Sequence, residues 1–171
     1  MSTSPNTNNL SILKGIVFFQ KDGDSEFRDL GECPTFDVSN DVTNKDYNTA
    51  RTGITTVAKT VTTKLASTID LVLNEITPEN IGFFALGAVE EASDGSFSVT
   101  SLSETQIEGI LKVEGANDVG NRLHWTGRVS LKSNGKLSLL TDGDDWAAIA
   151  LQATVLKTDL YGMGKFTFPI A

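Results

Sequence analysis

Cysteine and histidine are nearly missing from this chain: Cys33 and His124 are the only ones in 171 residues. A single cysteine excludes an internal disulfide and a four-cysteine zinc site. It suits a free thiol, expected on a strand, in a protein made in a reducing compartment. A single histidine excludes a two-histidine metal centre within one chain. Any Ser-His-Asp or Cys-His arrangement would need His124, yet no nucleophile elbow surrounds a serine or Cys33. His124 shares the polar side of its segment with Arg122 and Arg128 and is expected to be an ordinary surface residue. No phosphate-binding glycine pattern occurs. The Asp22-Gly23-Asp24 and Asp142-Gly143-Asp144-Asp145 runs lack the spacing and terminal glutamate of a calcium loop and read as turns. Catalysis, a metal and a cofactor are therefore not expected.

Long apolar runs and basic excess are lacking too. No segment reaches membrane-spanning length, and MSTSPNTNN carries no apolar signal core. The expectation is a protein neither exported by that route nor embedded in a bilayer. There are 14 Lys and Arg against 22 Asp and Glu, for a net charge of −8. Residues 1–87 and 88–171 each hold 11 acids and 7 bases, so neither half is built to grip nucleic acid by charge.

What is present is β pattern. After a polar, flexible arm over residues 1–10, residues 11–171 read as a single β domain. Strands are expected at Leu13–Gln20, Phe27–Ser39, Ser96–Ser103, Ile107–Glu114 and Asn121–Ser133, with Pro34 bending the second or putting it at an edge. Between Asn121 and Ser133 the alternation is cleanest, with Leu123, Trp125, Val129 and Leu131 on one face. Asn134-Gly135 predicts a tight hairpin into a strand at Lys136–Thr141, followed by Trp146–Leu156 and a short strand at Phe166–Ile170. The polar run Asn40–Gly53 reads as a loop, long enough to be functional. The fold class is mainly β: an antiparallel sandwich or partly closed barrel with one short helix.

The most informative stretch is Arg51–Gly87. Its first half is dense in Thr and Val, which fit a pleated surface. From Lys64 it alternates: Leu65, Ile69, Leu71 and Leu73 on one face, Lys64, Thr68, Asp70 and Asn74 on the other. The strand ends at Glu75 and passes into a helix over about 77–87. Thr77 suits the N-cap, Pro78 the first turn, Glu79 the positive end of the dipole, and Gly87 the close. Leu13–Gln20, the helix and Trp146–Leu156 carry apolar residues on both sides. A small domain has little interior to cover all three, which predicts self-association. The competing reading is a monomeric β-sandwich that binds carbohydrate or another ligand, with Trp125, Trp146, Tyr47 and Tyr161 as the platform. Trp125 lies on an apolar face, however, and core packing suits it better.

The order of these features resembles the major tail tube proteins of long-tailed bacteriophages. Arg51 and Gly53 match the end of the family's polar loop, and Glu75, Pro78, Glu79, Asn80 and Gly87 match its strand-to-helix corner. The run DGDDWAAIALQATVLKTDLYGMGKF is similar to its C-terminal strand and turn, so the resemblance covers roughly residues 12–168. Gly82, inside the helix, departs from the pattern, and the immunoglobulin-like domain of some relatives is not expected. The resemblance implies a structural virion protein, assembled in the host cytoplasm. Its hexameric rings would stack into a tube for DNA ejection, beside tail proteins such as the tape measure and tail terminator. DNA would pass without specific binding, through a lumen whose acidic character repels phosphate. On that reading Lys64, Thr68, Asp70 and Asn74 face the lumen. Asp41, Asn44, Tyr47, Arg51 and Gly53 belong to the ring-stacking loop, and Thr77 caps the helix that follows.

Overall fold

The computed structural model describes residues 6–140 and 142–169. Ten strands and one α-helix are formed among them: β1 (Gly15–Lys21), β2 (Arg28–Asp29), β3 (Thr35–Thr49), β4 (Thr56–Leu73), α1 (Pro78–Ala85), β5 (Val89–Glu91), β6 (Phe97–Val99), β7 (Ile107–Gly115), β8 (His124–Ser133), β9 (Ile149–Leu156) and β10 (Lys165–Thr167). Within the predicted arm, Thr7–Asn9 form one 3-10 turn; residues 1–5 lie outside the described residues.

All pairings are antiparallel. One sheet runs β2-β1-β7-β8-β9-β4-β3, with β10 also paired to β8, and β5-β6 form a separate ribbon. β9 pairs with β8 at Arg128–Ser133, while β10 pairs at His124–Thr126. The sheet curls until its two halves face each other across a common core. Phe36 of β3 thus packs on Trp125 of β8, ring centroids 5.9 Å apart. Its end strands β2 and β3 do not pair, so the architecture is sandwich-like rather than a closed barrel.

Period-2 alternation explains the core directly. Ile69, Leu71 and Leu73 of β4, Ile107 and Leu111 of β7, Trp125, Val129 and Leu131 of β8, and Ile149, Leu151, Ala153 and Val155 of β9 are all buried. β9 buries only that one face: Gln152 is half-buried and Thr154 exposed. Trp146, read as part of this strand, is 88% exposed in the connection before it. The expectation of two apolar faces was therefore wrong for β9, because small and polar residues occupy its second face. α1 packs against β5, β6, β8 and β9, and Phe83 meets Phe19 edge-on at 5.1 Å. Phe83 is buried, whereas Ile81 and Phe84 are half-buried.

Four further expectations are corrected. Asn40–Gly53 is not a loop: β3 extends to Thr49 and pairs with β4 from Thr35↔Val72 to Thr49↔Thr56, with bulges at Thr43/Asn44 and Tyr47/Asn48. The described part of Lys136–Thr141 forms no strand, because β8 pairs with β9 on that edge. Ser96–Ser103 contributes only Phe97–Val99. Cys33 precedes β3 instead of lying on a strand. No helix is long and apolar enough to cross a membrane among the described residues.

Candidate assembly surfaces

The corner between β4 and α1 is the most tightly specified part of the molecule. Thr77 Oγ1 accepts the Asn80 backbone N–H at 3.2 Å, and Pro78 opens the helix as predicted. Asn80 is 1% exposed, and its Nδ2 donates to the carbonyls of Leu30 (3.1 Å) and Glu75 (3.0 Å), joining helix start, strand end and the β2–β3 connection. Glu75 Oε1 accepts the Glu32 N–H at 3.0 Å. Gly31, at φ +81°, leaves room for that carboxylate, which any Cβ there would overlap. Glu79 bonds Arg28 at 2.9 Å, and this contact, the chief cause, holds its carboxyl below the ordinary 4.5. At the far end the left-handed cap residue is Leu86 (φ 50°), not Gly87. Gly87 donates its N–H to the Gly82 carbonyl at 3.0 Å, and a Cβ on it would strike the Thr100 carbonyl. Gly82, the odd residue within the helix, is buried; a Cβ there would press on the Gly87 carbonyl and Val89. Close packing explains it.

Thr68 and Asp70 lie on the face of β4 opposite Ser67, Ile69 and Leu71, as their alternation predicts, and Asn74 follows the strand end. Asp70 Oδ1 accepts from Gln152 Nε2 (2.9 Å) and Asn134 Nδ2 (3.0 Å). Across the sheet, Thr68 is beside Thr154, Thr154 beside Ser130, and Ser130 beside Glu108, which makes a continuous polar ladder. Arg128 bonds both Asp22 and Glu108 here. Asp37 stands opposite Asp70, and Lys132 lies two strands away beyond Gln152, so this face is polar, with acids at Asp22, Asp37, Asp70 and Glu108 and bases at Arg128 and Lys132.

Lys64, Asp41, Asn44, Tyr47, Arg51 and Gly53 all belong to the β3–β4 hairpin. β4 pairs with β9 only over Thr68–Leu73, so its first part has β3 on one edge and no strand on the other. Thr56–Leu65 are exposed at every position, on both faces. Thr60 Oγ1 bonds Asp46 (2.6 Å) and Thr62 Oγ1 bonds Asn44 (2.9 Å), which stiffens an arm that has no core of its own. Gly53, at φ +83°, turns the chain, its N–H bonded to the Ala50 carbonyl. Val42, Tyr47, Ile54, Val57, Val61 and Leu65 are large apolar residues left exposed along it.

Sequence reasoning missed two further features. Where the sheet fails to close, a cavity of ≈660 Å3 lies between Val17, Cys33, Phe36, Val38, Trp125 and Phe166. Burial there, the largest cause, raises the Cys33 thiol above its ordinary 9.0, and its Sγ–H donates to the Thr35 carbonyl at 3.1 Å. The connection from β8 to β9 exposes Leu139 (84%), Leu140 (95%) and Trp146 (88%). Trp125 is 3% exposed, so the four aromatic residues share no exposed platform. Among the described residues no group of three or more His, Cys, Asp and Glu could hold a metal ion. No protein-family model matches the chain, and no curated protein matches it in sequence.

Proposed function

We propose that this chain is the building block of a phage tail tube: a virion protein that forms hexameric rings, stacked into a conduit for DNA ejection. It would assemble in the host cytoplasm and meet the tape measure and tail terminator at the tube. The observation that carries this reading is the β3–β4 hairpin, with one unpaired strand edge and an apolar row exposed on both faces. A soluble monomer gains nothing from such an arm and risks aggregation by it, whereas a subunit completed by its neighbours uses the edge and covers the apolar residues. Asp41, Asn44, Tyr47, Arg51 and Gly53 keep their proposed part in ring stacking, now as an extended hairpin. Thr68, Asp70 and Asn74, with Lys64, give the channel a polar wall. The acids Asp37, Asp70 and Glu108 on that face support passage of DNA by disfavouring attachment of its phosphates.

Light scattering after size exclusion, with negative-stain electron microscopy, tests the proposal. Rings or tubes at micromolar concentration are expected. A species that remains monomeric at every concentration rejects it.

A further inference from the structure

The hairpin tip and the β8–β9 connection leave opposite ends of the sheet. β4 runs from Thr56 at the tip to Leu73, which pairs with Ile149; Ser133, where β8 ends, pairs with Leu151. The connection 134–148 therefore begins and ends beside Leu73. β4 has 18 residues, so the tip lies up to roughly 55 Å along the strand from that point, at ~3.3 Å per residue.

These two ends carry opposite charge. From Tyr47 to Ile69 there is no acid, while Arg51, Lys59 and Lys64 are basic and exposed. From Leu137 to Ala148 there is no base, while Asp142, Asp144 and Asp145 are acidic and exposed. Residues 42–65 hold four bases and one acid, a net of +3, which leaves the rest of a chain of −8 at −11. Both ends also expose apolar side chains: Ile54 and Val57 on the hairpin, Leu139, Leu140 and Trp146 on the connection.

We propose that the hairpin tip of one copy docks on the 134–148 connection of the next copy, in a head-to-tail contact. The inference rests on the reading that copies stack, and names the surface that receives the hairpin. Arg51 and Lys59 steer the approach and set its direction, and the facing apolar residues are covered once it is made. Because the contact joins two different patches, it propagates instead of closing a pair.

Charge reversal in the full chain tests this. Arg51→Glu/Lys59→Glu and Asp142→Lys/Asp144→Lys/Asp145→Lys each put like charges at the contact. Each alone raises the concentration for half-maximal association, read by sedimentation velocity, by about tenfold or more. Mixed one to one, the two variants assemble again, since each hairpin then meets an opposite charge. Mild oxidation of Cys33→Ser/Ile54→Cys/Leu140→Cys yields a ladder of disulfide-linked multimers. Reversed variants that associate like the parent, a mixture that does not recover, or a monomer alone after oxidation each overturn the contact. If the parent chain never associates, the tube reading falls with it; if it associates while the reversals have no effect, the contact alone falls.

Discussion

Asn80 shows how one side chain fixes the path of three segments. Its amide nitrogen has two donors and spends them on the carbonyls of Leu30 and Glu75, the first bond buried and the second partly so. Asn80→Ala leaves those acceptors unpaired, at a cost of about 2–3 kcal/mol, or roughly 5–10 °C in melting temperature for a domain of this size. Asn80→Asp costs more at neutral pH, because a carboxylate then faces two carbonyl oxygens and donates to neither. Equal melting temperatures for Asp, Ala and the parent would remove Asn80 from this role. Thr77→Ala loses one cap bond and costs about 1 kcal/mol. Glu79 makes a smaller contribution of known sign. Its pKa is depressed in the folded state by Arg28, so the pair's stabilisation is present above the ordinary 4.5 and is lost as pH falls through the depressed value. Both side chains are more than a third exposed, which keeps the effect small. Arg28→Gln returns Glu79 toward 4.5 in an NMR titration of its carboxyl carbon; an unmoved midpoint would show that Arg28 is not the cause.

At the scale of elements, the hairpin and the sheet body are energetically separable. Every residue of Thr56–Leu65 is exposed, and core residues of β4 begin only at Ser67 and Ile69. Asp41 and Ala66 face each other in register. Replacing residues 42–65 by Asn-Gly therefore closes β3 onto β4 with a two-residue turn. Melting should shift by no more than a few degrees while association is lost; a collapse of the body would show that the arm helps hold the core. The polar face of β4 makes a second prediction. On the tube reading, Cys33→Ser/Thr68→Cys labels readily in dispersed subunits and poorly with a bulky maleimide in assembled ones, and equal labelling in both would remove Thr68 from the channel wall. The alternating strands β7 and β8, the helix cap and the Glu75–Asn80 corner were legible in the sequence because one face of each is buried or one bond type dominates. The hairpin was not: beyond Ser39, β3 mixes Asn, Asp, Thr and Lys with a lone Val and Tyr, since neither face is buried there and no apolar period is needed. Its one readable sign was the length of β4, whose Thr and Val run needs an equally long partner. The missing strand at Lys136–Thr141 has the opposite cause. Asn134-Gly135 is good turn chemistry, but β9, with Ile149, Leu151 and Ala153, buries more apolar surface on that edge of β8.

At the scale of the whole molecule, the separation of the two charged ends determines how growth stops. A subunit whose hairpin and receiving connection lie at opposite ends always exposes one of each after every addition, so nothing in the contact limits length. Copies that lack the hairpin keep the connection 134–148 and can receive a hairpin but not offer one. In a mixture with the parent chain they terminate growth at one end, and mean length falls steeply as their fraction rises. Electron micrographs of such mixtures measure this directly. On the tube reading, steady shortening is expected from about one truncated copy in ten, because with six copies per ring roughly half of the rings then carry a defect. Tubes of unchanged length that incorporate the truncated copies would mean that the hairpin is dispensable for propagation. The same geometry predicts sensitivity to salt. A contact steered by Arg51 and Lys59 on three acids forms more slowly as the screening length shrinks from about 10 Å at 0.1 M to 3 Å at 1 M. Elongation should therefore slow with salt while the apolar contacts slow dissociation of tubes already formed; elongation that speeds up from 0.1 to 1 M would assign the contact to apolar burial alone.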